Sequence, residues 1–366
     1  MGTFSPPLLK GYTFLYSLLT LPLGNYSQFV EIMPSLQHYS TFGLNTSCTS
    51  IKSFSDVDSF LSLYQNTDVC YLLGGGSNSI FTETFEGTVL VNEIKGISHF
   101  DDENSHFLRV GAGENWHELV KLCMQNEWFG FENLALIPGS VGASPIQNIG
   151  AYGVEVDTLI QTIEAVVLNT GEKILLKNED CQFGYRDSVF KHALANKVLI
   201  THVNFVLPKV YELNTAYGEL AALTNPTPHD IYHKVIEVRK SKLPDPAILG
   251  NSGSFFKNPI VTHDHFKTIA DRYEHVPHFT VETKSADDSV KIPAAWLIDQ
   301  AGFKGKTLND VRCHPTQPLV LTNLGDANGS DVLSMARDII ASVSDRFNIK
   351  LEPEVRLLGS KGLISL

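Results

Sequence analysis

The chain is short of positive charge: 28 lysines and arginines stand against 40 aspartates and glutamates, a formal net charge of -12 over 366 residues. That balance argues against a general nucleic-acid binder, whose affinity rests on neutralising phosphates, but leaves room for a local basic pocket facing a phosphorylated ligand. Cysteine is sparse as well. The five, Cys48, Cys70, Cys123, Cys181 and Cys313, are odd in number, scattered and never spaced CxxC. A disulfide framework or zinc site is therefore not expected, and a reducing compartment fits. Thirteen histidines contain no HExxH, so no metal is expected either. No apolar run reaches the length of a membrane span, and residues 10–23 resemble a weak signal-peptide core without a clear small-residue cleavage site behind it. A start assigned too far upstream is the expectation for residues 1–32.

What is there centres on residues 137–156, IPGSVGASPIQNIGAYGVEV, which are rich in glycine and carry one charged residue, Glu155. Glycine permits positive φ and close backbone approach, while Pro138 and Pro145 fix φ and remove donors. Such a backbone is neither helix nor ordinary strand. Exposed N–H groups from small residues suit a pyrophosphate or a flat heterocycle; a tight interdomain crossover is the rival reading. Upstream, a short strand near residues 69–73 runs into Gly74, Gly75, Gly76, Ser77 and Asn78. GxGxxG opening a helix is missing there, since extended, β-favouring sequence follows. Strand, glycine turn and strand still make a phosphate cradle, although a glycine hairpin has the same letters.

Periodicity places helices at residues 55–66 with Ser55 as cap, from Trp116, from Thr227 and Pro228 through Arg239, from Pro293, and from Ser330 as cap through Phe347. Strands are expected at 107–111, 163–168, 198–207 and 319–322. Between them lie FGYRDSVFK (183–191), the stiff KLPDP (242–246), GNSGSFFKNP (250–259) and LEPEVRLLG (351–359). Read alone, Arg186 is a salt-bridge residue or a cation on an aromatic wall, Ser254 a turn residue or a proton donor, and Lys242 a linker lysine or an anion ligand. Glu352 and Glu354 alternate with apolar residues, as on the solvent face of a last strand.

Together, LGGGSN, IPGSVGASPIQNIGAYG, FGYRDS, KLPDP, GNSGSFFKNP, WLIDQAGFKG and LEPEVR occur in an order that resembles the UDP-N-acetylenolpyruvoylglucosamine reductase (MurB) family, in its long-loop form with a tyrosine lid. The resemblance runs from about residue 36 to 359. It implies an α+β fold: a two-subdomain FAD-binding module of the vanillyl-alcohol-oxidase/PCMH type plus a C-terminal α+β substrate-binding domain. The expected division is an N-terminal extension (1–33), FAD-binding subdomains (34–97 and 98–241, the second with the lid), a substrate-binding domain (242–349) and a C-terminal segment (350–366).

The resemblance further implies non-covalent FAD on Gly74, Gly75, Gly76, Ser77, Asn78, Pro138, Gly139, Ser140, Gly142, Ala143, Gln147, Asn148, Gly150, Ala151 and Tyr152. NADPH is the implied reductant, and the enolpyruvyl ether of UDP-N-acetylglucosamine the implied substrate in peptidoglycan precursor synthesis. Arg186, Ser254 and Glu354 match the family's catalytic positions, and Tyr217, Lys242, Asn258 and Gln300 its substrate contacts. A cytoplasmic monomer without nucleic-acid or membrane partners is expected. An oxidase of the same FAD fold and a non-catalytic flavin or nucleotide-sugar binder are the competing readings.

Overall fold

The structure is a computed structural model and describes residues 33–65, 67–281 and 289–366, so the expectation for residues 1–32 lies outside it. The first sheet is built from β1 (Cys48–Phe54), β2 (Cys70–Leu73) and, after the short β3 (Ser79–Phe81), β4 (Phe85–Asn92). β4 lies between β1 and β2 and parallel to both, and the run Thr88–Leu90 is buried, as a central parallel strand requires. The crossover from β1 to β2 is α1 (Val57–Gln65), whose Phe60 packs on Phe54 at 4.9 Å. Its cap is Asp56, which accepts from the Ser59 N–H at 2.8 Å, and not Ser55, because Asp56 directly precedes the first helical residue.

The next sheet is antiparallel. It comprises β5 (Ile97–Asp101), β6 (Ser105–Gly111), β9 (Ile160–Val167), β10 (Lys173–Lys177) and β11 (Val198–Pro208) in the order β10-β9-β11-β6-β5. α2 (Trp116–Gln125), capped by Asn115, buries Trp116, Leu119 and Val120 against it. Residues 137–156 run along this layer as an irregular segment ending in a two-stranded hairpin, β7 (Gly150–Ala151) and β8 (Val154–Glu155). Tyr152 and Gly153 at its turn have φ of 49° and 82°, the pair of positive values that a tight hairpin with right-handed twist demands. α3 (Pro228–Lys242) starts at the expected Thr227 cap, in a reciprocal box with Asp230. It runs three residues past Arg239, since only Leu243, which precedes Pro244, is barred from helical geometry.

The third layer holds a four-stranded antiparallel sheet of β12 (Asn251–Ser254), β16 (Thr307–Leu308), β17 (Val311–Cys313) and β18 (Val320–Asn323), ordered β12-β18-β17-β16. A smaller sheet, β13 (Ile260–Thr262), β14 (Phe279–Val281) and β15 (Ser289–Lys291), lies with α4 (His263–Ala270). α5 (Ala294–Gln300) and α6 (Gly329–Phe347) cover one face of the larger sheet. The cap of α6 is Asn328, which takes the Asp331 N–H, while Ser330 only donates its hydroxyl to Asn328.

The chain then returns to the first layer. β19 (Arg356–Gly359) lies parallel to β3, Arg356 opposite Ser79, with β20 (Gly362–Leu363) folded back on it. The LEPEVR segment is thereby held beside the GGGSN turn.

The third layer is tied to the N-terminal segment by the Asn251 N–H, which donates to the Thr41 carbonyl, and by a buried amide. Asn323 donates to the carbonyls of Phe42 and Gly43 and accepts from the N–H groups of Gly325 and Ala327. Asn323→Ala leaves the buried Phe42 carbonyl and the half-buried Gly43 carbonyl without this donor, so a loss of about 1–3 kcal/mol is expected, read as a lower midpoint in thermal or urea unfolding.

Candidate active site

Two glycine loops meet edge to edge. A Cβ on Gly74 would sit 2.4 Å from the Ser140 hydroxyl, one on Gly75 2.7 Å from Gly139 Cα, and one on Gly142 2.5 Å from the Ala112 Cβ. At Gly75 the two loops touch backbone to backbone, while Gly74 clears the Ser140 side chain and Gly142 clears Ala112. Among the described residues, no protein acceptor takes the N–H groups of Gly75, Gly76, Ser77, Asn78, Gly139 or Ser140. A cavity lined by Leu73, Gly74, Ser140, Gly142, Ala143 and Ile200 opens alongside. Ser140 lines that cavity, and amides without a protein acceptor are free to take a ligand's oxygens. The donor set therefore fits the pyrophosphate of a dinucleotide cofactor such as FAD.

Asn78 joins this cradle to the catalytic candidates. Its amide donates to Gln147 Oε1 at 2.9 Å and to the Glu354 carbonyl at 3.1 Å, while its own carbonyl accepts from the Arg356 N–H. The Glu354 N–H in turn bonds the carbonyl of Phe255, the residue after Ser254. Asn78, Gln147, Ser254 and Glu354 thus come together from four distant segments.

Arg186 completes the cluster. Its Nε lies 2.9 Å from Glu354 Oε1, and its terminal nitrogens donate to the carbonyls of Asn148 and Gly150. Arg186, Asn148 and Tyr152 all have φ between 43° and 53°, left-handed geometry that costs about 1–3 kcal/mol per non-glycine residue. Burial pushes the Glu354 carboxyl above the ordinary range for glutamate, with Arg186 and Lys191 pulling the other way. A carboxyl buried this deeply is poised to carry a proton. Glu352, two residues earlier, is exposed and paired with Lys257. Only one of the two glutamates belongs to the site.

Around this centre Tyr185 lies beside Arg186 and lines a cavity with Asn258, with the Lys291 ammonium 4.4 Å from its ring centroid. Asn258 also accepts from the Ala294 N–H and so fixes the start of α5. Tyr217 stacks on Phe279 at 5.5 Å and meets Tyr152 edge-on at 6.3 Å. Lys242, the last residue of α3, pairs with Glu219 of the loop that carries Tyr217 at 2.5 Å. Gln300 stands apart at the end of α5, its carbonyl taken by Arg346, and no contact joins it to Arg186 or Ser254 among the described residues. Two cations went unremarked in the sequence. Lys291 is one. Arg239 is the other: among the described residues its Nε is buried without a partner, and Arg186 is close enough for the two positive charges to repel. In the sequence it reads as one of a basic run closing a helix, which the helix dipole alone accounts for.

Residues 245–358 match the family model of the UDP-N-acetylenolpyruvoylglucosamine reductase C-terminal domain, and residues 50–175 match an FAD binding domain. The chain is 49% identical over 342 residues to a UDP-N-acetylenolpyruvoylglucosamine reductase from Pseudoalteromonas atlantica, covering 93% of this chain and 98% of that one. It is 42% identical over 337 residues to the protein of that name from Escherichia coli K12, covering 90% and 97%. Among solved structures, the UDP-N-acetylenolpyruvylglucosamine reductase (MurB) of Thermus caldophilus superposes with a TM-score of 0.61 at 21% identity, over 88% of this chain and 97% of that one. That last likeness is one of fold. The α+β reading, an FAD-binding module followed by a C-terminal substrate domain, holds.

Gly75→Val drives a side chain into Gly139 and overpacks the contact by ~1–3 kcal/mol. Purified variant protein is expected to retain FAD about tenfold or more less tightly, measured as flavin absorbance per mole of protein.

Proposed function

The chain belongs to the UDP-N-acetylenolpyruvoylglucosamine reductase family, and from that premise we propose that it reduces the enolpyruvyl ether of UDP-N-acetylglucosamine to the lactyl ether of UDP-N-acetylmuramate with NADPH. The observation that carries this reading is the buried Arg186–Glu354 pair joined through Asn78 to the cofactor cradle, with Ser254 one residue from its anchor. FAD, when bound, supplies the hydride, taken from NADPH and given to the terminal vinyl carbon. Negative charge then develops on the adjacent carbon and spreads into the substrate carboxylate as an enolate.

The protein's part is to hold that charge and supply a proton. Arg186 is a fixed cation whose guanidinium cannot swing away, because Asn148, Gly150 and Glu354 hold it on three sides. Arg239 places a second, unpaired cation nearby. A substrate carboxylate arriving at Arg186 repels the Glu354 carboxylate and raises further a pKa that burial has already raised. Glu354 becomes the neutral acid and donates a hydrogen bond to the forming enolate, an arrangement worth roughly 3–4 kcal/mol in a preorganised site. Ser254 gives its hydroxyl proton to the α-carbon. A serine is a feeble acid, but an enolate carbon is a strong base, so a placed neutral hydroxyl suffices.

Tyr217 and Lys242, on the loop and helix that flank the site, close over the diphosphate, with Asn258 on the facing segment. Lys242 exchanges Glu219 for phosphate oxygens. The enzyme works in the cytoplasm as a monomer, and it feeds cell-wall precursor synthesis. Among the described residues no helix is long and apolar enough to cross a membrane.

With Ser254→Ala, NADPH is expected to bleach the flavin at the normal rate, while reoxidation by the enolpyruvyl substrate slows by about 10²–10⁴. Equal slowing of both steps in stopped-flow absorbance overturns the role of Ser254. Oxygen-dependent, substrate-independent turnover would instead support an oxidase. For Glu354 the sign runs with protonation: the acid form donates, so reoxidation declines as pH rises through its elevated pKa. Glu354→Gln keeps a donor that does not titrate and is expected to abolish that alkaline limb.

A further inference from the structure

The loop between β11 and α3, which carries Tyr217, is fastened at three points. At its root the Tyr211 hydroxyl donates to Oε1 of Glu132, a residue 1% exposed whose Oε2 takes the Gly130 N–H. Asn214 is the second point. Its side-chain amide donates to the Gly153 carbonyl at 3.0 Å, and its backbone carbonyl accepts from the Asn133 side chain at 2.9 Å. The third is Leu220, fully buried in the core that holds Ile231 and Val235 of α3. Between the last two points residues 216–219 are exposed, and Gly218 has a φ of 59° with open space where a Cβ would stand. A tip held at both ends and turning on a glycine can swing without disturbing its supports.

Asn133 links this loop to the hairpin beside Arg186. The residue is 2% exposed, and its side-chain amide donates to the Tyr152 carbonyl at 3.0 Å as well as to the Asn214 carbonyl, so both amide hydrogens are spent. Tyr152 and Gly153 form the turn of the β7–β8 hairpin, and Gly150 on the same hairpin gives its carbonyl to Arg186. The turn also packs against the loop: a Cβ on Gly153 would sit 3.1 Å from the Asn214 amide, and the Tyr152 ring meets Tyr217. Loop root, hairpin turn and Arg186 are therefore joined by an unbroken set of contacts. A buried carboxamide shared by two carbonyls has no water to fall back on, so removing it leaves both acceptors unsatisfied.

We propose that Asn133 and Asn214 are positioning residues for the lid. They fix the origin of the 215–219 tip against the hairpin that orients Arg186, so that Tyr217 closes on a phosphorylated ligand at a set distance from the reacting centre. This rests on the proposed reduction of a UDP-sugar, in which Tyr217 closes over the diphosphate. The two asparagines act through Tyr217 and not on the ligand. They limit the conformations open to the tip before closure, which lowers the ordering cost that binding must overcome. Because the diphosphate does not react, the gain is shared by ground and transition states and belongs in KM.

The test uses the FAD-loaded enzyme and a double-mutant cycle between Asn214 and Tyr217. Asn214→Ala removes the donor to Gly153 from a half-buried residue and leaves its backbone carbonyl in place, so flavin content and the unfolding midpoint serve as controls. With the enolpyruvyl substrate its KM is expected to rise about five- to tenfold, with kcat within a factor of about two. In a Tyr217→Ala background the same change is expected to move KM by less than about twofold, because the tip then carries no ring to place. Asn133→Asp loses both donations at once and is expected to raise KM further. Limited chymotrypsin digestion reads the fastening without any ligand: the wild type is expected to be cut at Tyr217, and Asn133→Asp at Leu213 and Tyr211 as well. A KM change as large in the Tyr217→Ala background as with Tyr217 present overturns the inference, as does wild-type cleavage at Leu213 as fast as at Tyr217. No turnover by the wild type sinks the functional reading and this inference with it. Turnover with an unchanged KM in Asn214→Ala defeats this inference alone.

Discussion

A guanidinium and a carboxylate 2.9 Å apart, both largely shielded from water, constrain the segments around them. Taking either ion out of water costs several kcal/mol, and a bare pair does not recover that cost. Here it is offset by oxygens. The Asn148 and Gly150 carbonyls turn toward Arg186, and to do so the chain accepts left-handed geometry at Asn148, Tyr152 and Arg186 itself. The shape of residues 137–156 therefore answers two demands at once. Its first half presents N–H groups outward at the cradle, and its second half presents carbonyls inward at a cation. Composition alone cannot separate the two, since glycine serves both.

This explains which features were legible in the sequence. The two glycine loops stand out because no packed helix or strand tolerates so many residues without side chains, and the structure brings Gly74 and Gly75 against Gly139 and Ser140. Amphipathic helices were equally plain, as α1, α2, α3 and α6 each expose a polar face. The caps were less so: Ser55 next to Asp56, and Ser330 next to Asn328, offer equivalent oxygens within two residues, and the backbone decides between them. The strand β10 went unseen because Lys173–Lys177 is an edge strand with its lysines exposed, short of the apolar alternation that marks a half-buried strand.

Glu354 was the hardest residue to read from local pattern. Period-two alternation in LEPEVR assigns Glu352 and Glu354 to one face, and solvent is the natural environment for both. The structure parts them, because Pro353 bridges to Phe256 and Arg356 then enters the ladder beside β3. That ladder joins residues separated by most of the chain, so nothing within a window of ten residues reports it. The family resemblance singled out Glu354 through motif identity; the physical cause of its burial is long-range pairing.

The same geometry gathers positive charge in an acidic chain. Lys191 donates to the Arg186 carbonyl, and burial with Lys257 nearby pulls its pKa down; Lys291 is lowered by burial and by Arg186; Arg239 lacks a partner at Nε. With a formal net charge of -12 the surface as a whole repels a phosphorylated ligand, so attraction has to be local and short-ranged. Cations held close together without enough counter-charge repel one another, and the chain meets that cost on folding. A polyanion entering the cleft removes the repulsion and gains its own Coulomb attraction in the same step. On the proposed reading, NADPH and the UDP-sugar both bear diphosphates, and both relieve the same cations. Once one occupies the cleft, much of the electrostatic gain open to the other is gone. Exclusion of one ligand by the other then follows from charge as well as from space, which suits a site where the cofactor must be reduced by one ligand and oxidised by the next.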